Sequence, residues 1–299
     1  MDLRHIRYFV AVAEELHFTR AAERLGISQP PLSLQIRQLE QELGTSLFRR
    51  LARGVELTEA GAVLLEEGRR ILEQVERTKA SVQSRARGDS GHLNVGFAGA
   101  TYFQAQVPQT VQAYRALYPN VLLSPEQSNT PRLVAGLLDG SIDLAFIRPP
   151  LAEAAGIAVQ ALVDEPMRAV LPRGHPRAED AAVPLAALAQ EHFILFPRAI
   201  GPGLYDSIIA GCQRAGFSPL LGQEAPQIPS IVHLVAAGFG VSLVPQSIEQ
   251  IHAEGVVYRP LAGEAPRAPI SVAYRKDDHR ATVRNFVALA RRRAEGAVH

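Results

Sequence analysis

Apolar residues recur at helical spacing in three successive stretches at the start of the chain. They fall at Ile6, Phe9, Val10 and Ala13 in LRHIRYFVAVAEE, at Phe18, Ala21, Ala22 and Leu25 in HFTRAAERL, and at Leu32, Ile36, Leu39 and Leu43 in SQPPLSLQIRQLEQEL. Each set lies on one face of a 3.6-residue helix, the face a core covers. Gly26 ends the second stretch and Ile27 fills the turn before Ser28. Proline is tolerated in the first helical turn, where its missing N–H has no intrahelical partner, so Pro30 and Pro31 mark a helix start. Ser28 is then expected to be the N-cap, its hydroxyl accepting from an orphan N–H. Helix, glycine turn, helix is the helix-turn-helix arrangement, whose second helix enters a major groove.

The polar positions support that reading. Gln29, Ser33 and Arg37 lie four apart on the outer face of the third helix, with Leu34 bare beside them. Amide, guanidinium and apolar groups suit base edges and thymine methyls, although a solvated polar face has the same composition. Thr19, Ser28, Pro30 and Pro31 complete the set expected to face DNA. SLFRRLARGVELTEAG then turns at Arg53-Gly54 and predicts a two-stranded wing. Arg49, Arg50 and Arg53 have no acidic residue among them from Gly44 to Gly54, as phosphate contacts require; a plain basic loop is the alternative.

From Thr58, an expected N-cap, to Gly88 the chain permits one long helix with a thin seam at Leu64, Gly68, Ile71, Val75 and Val82. So narrow a stripe gains most by pairing with its own copy, which predicts a dimer, with Gly68 either allowing close approach of the partners or simply tolerated. From about His92 strand and helix alternate: LNVGFAG, VLLSPEQ and IDLAFIR, then MRAVLP, HFILFPR and VSLVP, with PISVAYRK and a last helix returning to the first set. The pattern predicts an α/β fold, a parallel sheet in right-handed units, and two lobes crossed near Ala161 and Ala265. The expected division is residues 1–58, a linker helix 59–90, and 91–299, with lobe 1 as 91–161 and 266–299 and lobe 2 as 162–265.

Ligands of such lobes bind beyond the carboxyl ends of the strands. Gly99, Ala100 and Thr101 follow the first strand, and Asn129 and Thr130 follow the second, with Thr130 before Pro131 expected to be the N-cap. Each place offers a hydroxyl and backbone N–H groups at a positive helix end, which suits a carboxylate; simple capping explains the same residues.

RHIRYFVAVAEELHFTRAAERLGISQPPLSLQIRQLEQELGTSLFRR and LTEAG resemble the DNA-binding segment of the LysR-type transcriptional regulators, and the order of parts agrees over nearly all 299 residues. SQPPLS, LFPR and VAAGFGVSLVP place the resemblance nearest the branch that controls aromatic degradation through catechol, muconate and chlorocatechol. It implies a winged helix-turn-helix, a linker helix, and an effector domain with the periplasmic-binding-protein fold. It further implies double-stranded promoter DNA as partner, a small carboxylated effector of aromatic or muconate type, two dimers joined as a tetramer, and RNA polymerase as a partner if the protein activates. By carry-over, Phe146, Arg148, Pro197, Arg198, Pro202, Leu204 and Ile228 join the effector set. Arg148 or Arg198 can pair with a ligand carboxylate, or with an Asp or Glu neighbour. Leu34 stands where the family commonly has Arg, and Ala100 and Thr101 where it often has Ser or Thr, which bears on operator and ligand preference.

Composition narrows the alternatives. Lys and Arg number 31 against 30 Asp and Glu, so contact with nucleic acid must come from local clustering. Cys212 stands alone within IIAGCQRAG, which excludes an internal disulfide and suits a small buried residue better than a nucleophile. There is no apolar signal segment and no bilayer-length run, so a cytoplasmic protein without membrane partners is expected. The nine His show no HxxxH, and GFAG and GFGVS lack GxGxxG, so neither metal nor cofactor is expected. The competing classes are a solute-binding protein, against which the missing signal segment and the helix-turn-helix count, and an enzyme on the same α/β lobes.

Overall fold

A computed structural model describes residues 1–51, 54–151 and 155–296. The chain divides into two compact units, Met1–Ser84 and Arg85–His299.

In the first unit α1 (Leu3–Glu15) opens on a capping box, the His5 N–H donating to Asp2 Oδ1 at 2.9 Å and the Asp2 N–H to His5 Nδ1 at 3.3 Å. α2 (Phe18–Leu25) is capped by the His17 imidazole and ends at Gly26, whose φ of 67° is the left-handed turn glycine permits. α3 (Gln29–Leu43) buries Leu32, Ile36 and Leu39 against Phe9, Ala21 and Ala22. Leu43, expected in that stripe, is 40% exposed: it is the last residue of α3 and lies beyond the buried cluster. Ser28 holds the N-cap position, but its hydroxyl makes no cap bond. An N-cap side chain bonds the N–H of the second or third helical residue, and here those are Pro30 and Pro31, which have none.

The wing pairs β1 (Phe48–Arg50) with β2 (Val55–Leu57) antiparallel. Glu40 of α3 accepts from the N–H groups of Leu47 and Phe48 at 2.8 and 3.2 Å, tying wing to helix. α4 (Glu59–Arg87) starts where Thr58 Oγ1 accepts from the Gly61 N–H at 3.0 Å and donates to the Ser46 carbonyl at 2.8 Å. The expected self-pairing role of Gly68 needs correction. A Cβ there would meet Ile6 Cγ2 at 3.1 Å and Val10 Cγ2 at 3.2 Å, so the close approach is to α1 of the same chain. Leu64 and Ile71 pack on the same core, while Val63 and Val82 stay exposed.

The second unit runs β3 (Ser90–Ala98), a 3-10 turn Thr101–Phe103, α5 (Gln106–Leu117), β4 (Asn120–Ser128), α6 (Thr130–Asp139), β5 (Leu144–Ile147) and the long β6 (Ile157–Pro172). There follow β7 (Val183–Pro184), β8 (His192–Leu195), α7 (Pro202–Arg214), β9 (Leu220–Glu224), α8 (Ile228–Ala236), β10 (Ser242–Pro245), a 3-10 segment Gln246–Gln250, β11 (Val256–Ala262), β12 (Arg267–Arg275) and α9 (Ala281–Gly296). β4, β3 and β5 are parallel, as expected, but β12 runs antiparallel to β5 and β6, and β10 and β11 run antiparallel to β6. The departure has a topological cause: the chain crosses outward between lobes on β6 and returns on β12, so the two crossing strands oppose each other.

Lobe 1 packs α5 and α9 on one sheet face, through Val107, Tyr114 and Phe286, and α6 on the other, through Leu133 and Leu137. Lobe 2 gathers Val170, Phe193, Ile208 and Val232 into its own core. Cys212 belongs to that core, and burial pushes its thiol up to about 11.

Candidate functional site

On the outer face of α3, Gln29, Pro30, Pro31 and Arg37 are exposed and Leu34 is 53% exposed. Gln29 Nε2 donates to Ser33 Oγ at 2.7 Å, which steadies the amide. Thr19 is exposed at the start of α2, and the Ser28 hydroxyl is left over by the proline pair. Arg37 and Arg50 make no ion pair among the described residues. Arg49, by contrast, is engaged across the wing by Glu56, the residue opposite it in register, so this expected phosphate contact is already occupied. Arg53 lies outside the described residues.

Between the lobes of the second unit lies a cavity of about 80 Å3. Of the expected residues it is lined by Gly99, Ala100, Thr130, Arg148, Leu204 and Ile228. Ala98, Tyr102, Gln127, Ile200 and Gly201 are also in the wall, as are Phe196, Gln227, Pro226 before α8 and Pro229 in its first turn. Gln127 could have been found from its place at the carboxyl end of β4; Ile200 and Gln227 sit in irregular segments that carry no such signal.

Arg148 is buried and committed. Its Nη2 lies 2.9 Å from Glu165 Oε1 and its Nη1 donates to the Ala268 carbonyl at 2.5 Å. Glu165 in turn accepts from the Ser247 N–H at 2.8 Å and the Ser247 hydroxyl at 3.2 Å. Burial pulls the Arg148 guanidinium down from its ordinary value, and the Glu165 charge opposes that. A ligand carboxylate therefore meets no free guanidinium here.

The remaining expectations need correction residue by residue. Asn129, not Thr130, caps α6, its Oδ1 accepting from the Arg132 N–H at 2.9 Å. Thr130 is the first helical residue, and its N–H goes to the Ile200 carbonyl at 3.3 Å, so with Pro131 next in line the α6 terminus has no N–H to spare in its first three residues. Asn129 itself is not in the wall. Thr101 begins a 3-10 turn; its hydroxyl is buried without a partner and does not reach the wall. Phe146 points into the lobe 1 core, stacked on Phe97 at 5.3 Å and edge-on to Phe286. Arg198 is exposed and held bidentately by Asp206 at 2.7 and 2.8 Å, so it takes the Asp-neighbour alternative. Pro197 and Pro202 flank the cavity without lining it.

Residues 3–62 match the family described as bacterial regulatory helix-turn-helix proteins of the lysR type, and residues 86–295 match the LysR substrate binding domain. The chain belongs to the LysR family of transcriptional regulators. It is 39% identical to the HTH-type transcriptional regulator BudR of Raoultella terrigena over 97% of this chain and 100% of that one. With CatR of Pseudomonas putida it shares 38% identity over 99% and 100%. Among solved structures, full-length CbnR complexed with its target DNA superposes with a TM-score of 0.83 at 31% identity, covering 98% of this chain and 100% of that one. As a LysR regulator the protein binds DNA through its helix-turn-helix domain and carries an effector-binding domain; its relatives are transcriptional regulators and not enzymes. Among the described residues no helix is long and apolar enough to cross a membrane.

Proposed function

We propose that this regulator reads promoter DNA in the cytoplasm with Gln29, Ser33, Leu34 and Arg37 in the major groove and Thr19, Ser28 and Arg50 on the backbone, under control of a small organic acid in the cleft. The outer face of α3 supports this most directly: its polar groups are exposed, the Gln29 amide is steadied by Ser33, and Arg37 has no competing ion pair among the described residues. Such groups gain partners only when a duplex supplies them. The exposed Val63 and Val82 on α4 suit pairing with a second copy, two such dimers form the working tetramer, and RNA polymerase is the further partner where the protein activates.

The acid acts by binding two arrangements of the assembly unequally. Residues 1–58 and 91–299 are the reading and sensing parts, joined by 59–90. The LFPR and VAAGFGVSLVP resemblance supports an aromatic or muconate-like acid.

The test is a gel-shift titration with the region upstream of the protein's own gene and with scrambled DNA of equal length. Preference for the upstream fragment at moderate salt is expected, with a mass in solution above that of one chain. Equal affinity for both fragments, with or without metabolites, overturns the reading.

A further inference from the structure

We infer that Leu34 is a specificity-determining residue of α3, seating its side chain on the C5-methyl group of a thymine in each half-site of the operator. The inference rests on the DNA reading above and narrows it to one group on one base.

The place of Leu34 on the helix is the first argument. α3 turns its buried stripe of Leu32, Ile36 and Leu39 to the core. Leu34 stands two residues from both Leu32 and Ile36, which puts it about 160–200° around the helix from each, on the outward side. Of the large apolar side chains on α3 it is the most exposed, at 53%. One turn before it on that side are Pro30 and Pro31, and one turn after it are Arg37 and Gln38, all exposed. The prolines bring no N–H and no polar side chain, so an apolar ridge runs from the start of the helix up to Leu34.

The polar groups that flank the ridge have partners within α3. Ser33 Oγ accepts from Gln29 Nε2 at 2.7 Å, and Gln38 Oε1 accepts from Gln35 Nε2 at 2.8 Å. Leu34 is therefore framed by steadied amides and gains only by meeting another apolar group.

What a duplex can offer it is the second argument. The helix-turn-helix of this family binds DNA, and Leu34 is the sixth residue of α3, within the first turns that reach base edges. Among the groups that distinguish bases in the major groove, the thymine methyl is the apolar one; the others are ring nitrogen and carbonyl acceptors and amino donors. Leucine on a thymine methyl removes two apolar surfaces from water. The same leucine over a G·C pair strips water from O6, N7 and the amino group and returns no hydrogen bond, which is unfavourable. Leu34 thus discriminates twice, by a gain at T·A and by a penalty at G·C.

The experiment is a gel-shift titration of the full chain with the duplex that it protects upstream of its own gene, each thymine being replaced in turn by deoxyuridine. That replacement removes the methyl and leaves the pairing edge as it was. One thymine per half-site is expected to respond, by about fourfold when one half-site loses its methyl and about 15-fold when both do. Leu34→Ala is expected to bind the thymine and uracil duplexes alike, whereas Leu34→Met keeps the preference for thymine. Arg50→Ala should weaken both duplexes together and preserve their ratio, which separates methyl readout from a general loss of affinity. The melting temperature of Leu34→Ala, an exposed substitution, is expected to match that of the parent. No response of the parent protein to any methyl loss, single or paired, or an equal response in Leu34→Ala, overturns the inference. Preference for the upstream fragment over scrambled DNA in the same titration then shows that the regulator reading survives without it, while equal affinity for both fragments overturns the two together.

Discussion

Arg37 and Arg148 carry the same guanidinium into opposite circumstances. Arg37 stands exposed on α3 with no ion pair among the described residues, whereas Arg148 is buried with Glu165 at 2.9 Å and the Ala268 carbonyl beyond. The difference follows from what each region meets. Duplex DNA brings its own charge and releases counterions, so a reading surface works with donors left open to water. The buried position of Arg148 has no such reservoir, and an uncompensated guanidinium there would be strongly destabilising, so the chain supplies its own carboxylate.

Breaking the buried pair is expected to give the largest effect. Arg148→Met leaves Glu165 alone in the interior and should cost about 3–5 kcal/mol in chemical denaturation, with much of the loss recovered in Arg148→Met/Glu165→Leu. Arg37→Met should stay within about 0.5 kcal/mol of the parent in the same assay and lose DNA affinity instead. Equal destabilisation by both would erase the contrast. Next in size, Gln29→Ala should cost about 1–3 kcal/mol and relax preference at one base, while Arg50→Ala should weaken all sequences alike and reduce the salt slope by about 1, read by gel shift across salt concentrations.

A smaller contrast lies between two caps. Asn129→Ala removes a bond that is made and should cost about 1 kcal/mol, whereas Ser28→Ala removes none and should cost only a few tenths at most. The smallest effect is acid-dependent. The Arg69 guanidinium beside Glu14, helped by Arg24, holds that carboxyl below its ordinary 4.5. A depressed folded value means the contribution is present above 4.5 and lost as pH falls below it. Glu14→Gln should therefore flatten the acid limb of the melting curve slightly, the pair being partly exposed and screened.

Much of the scaffold was legible because its signals are local. Gly26, the Pro30-Pro31 start, the Thr58 cap and the alternation of strands and helices each depend on residues within a few positions. What escaped depends on distant partners. Arg148 is separated from Glu165 by 17 residues and from Ala268 by 120, so nothing near it in sequence says that it is spent. Phe146 lies in a strand buried on both faces, where alternation does not tell which side a ring takes. Gly68 was readable as a place of close approach, but not which helix approaches. Arg49 shows the same limit on a shorter scale, since its partner Glu56 comes from across the wing turn.

The seating of α4 on α1 has a practical consequence for anyone transplanting this reader onto another sensor. Leu64, Leu65, Gly68, Ile71 and Leu72 are structurally property of the head, so a graft cut at the wing would strip away part of its interior. A splice placed after Leu72 keeps the head whole, and adding or removing residues there turns whatever is attached by about 100° per residue.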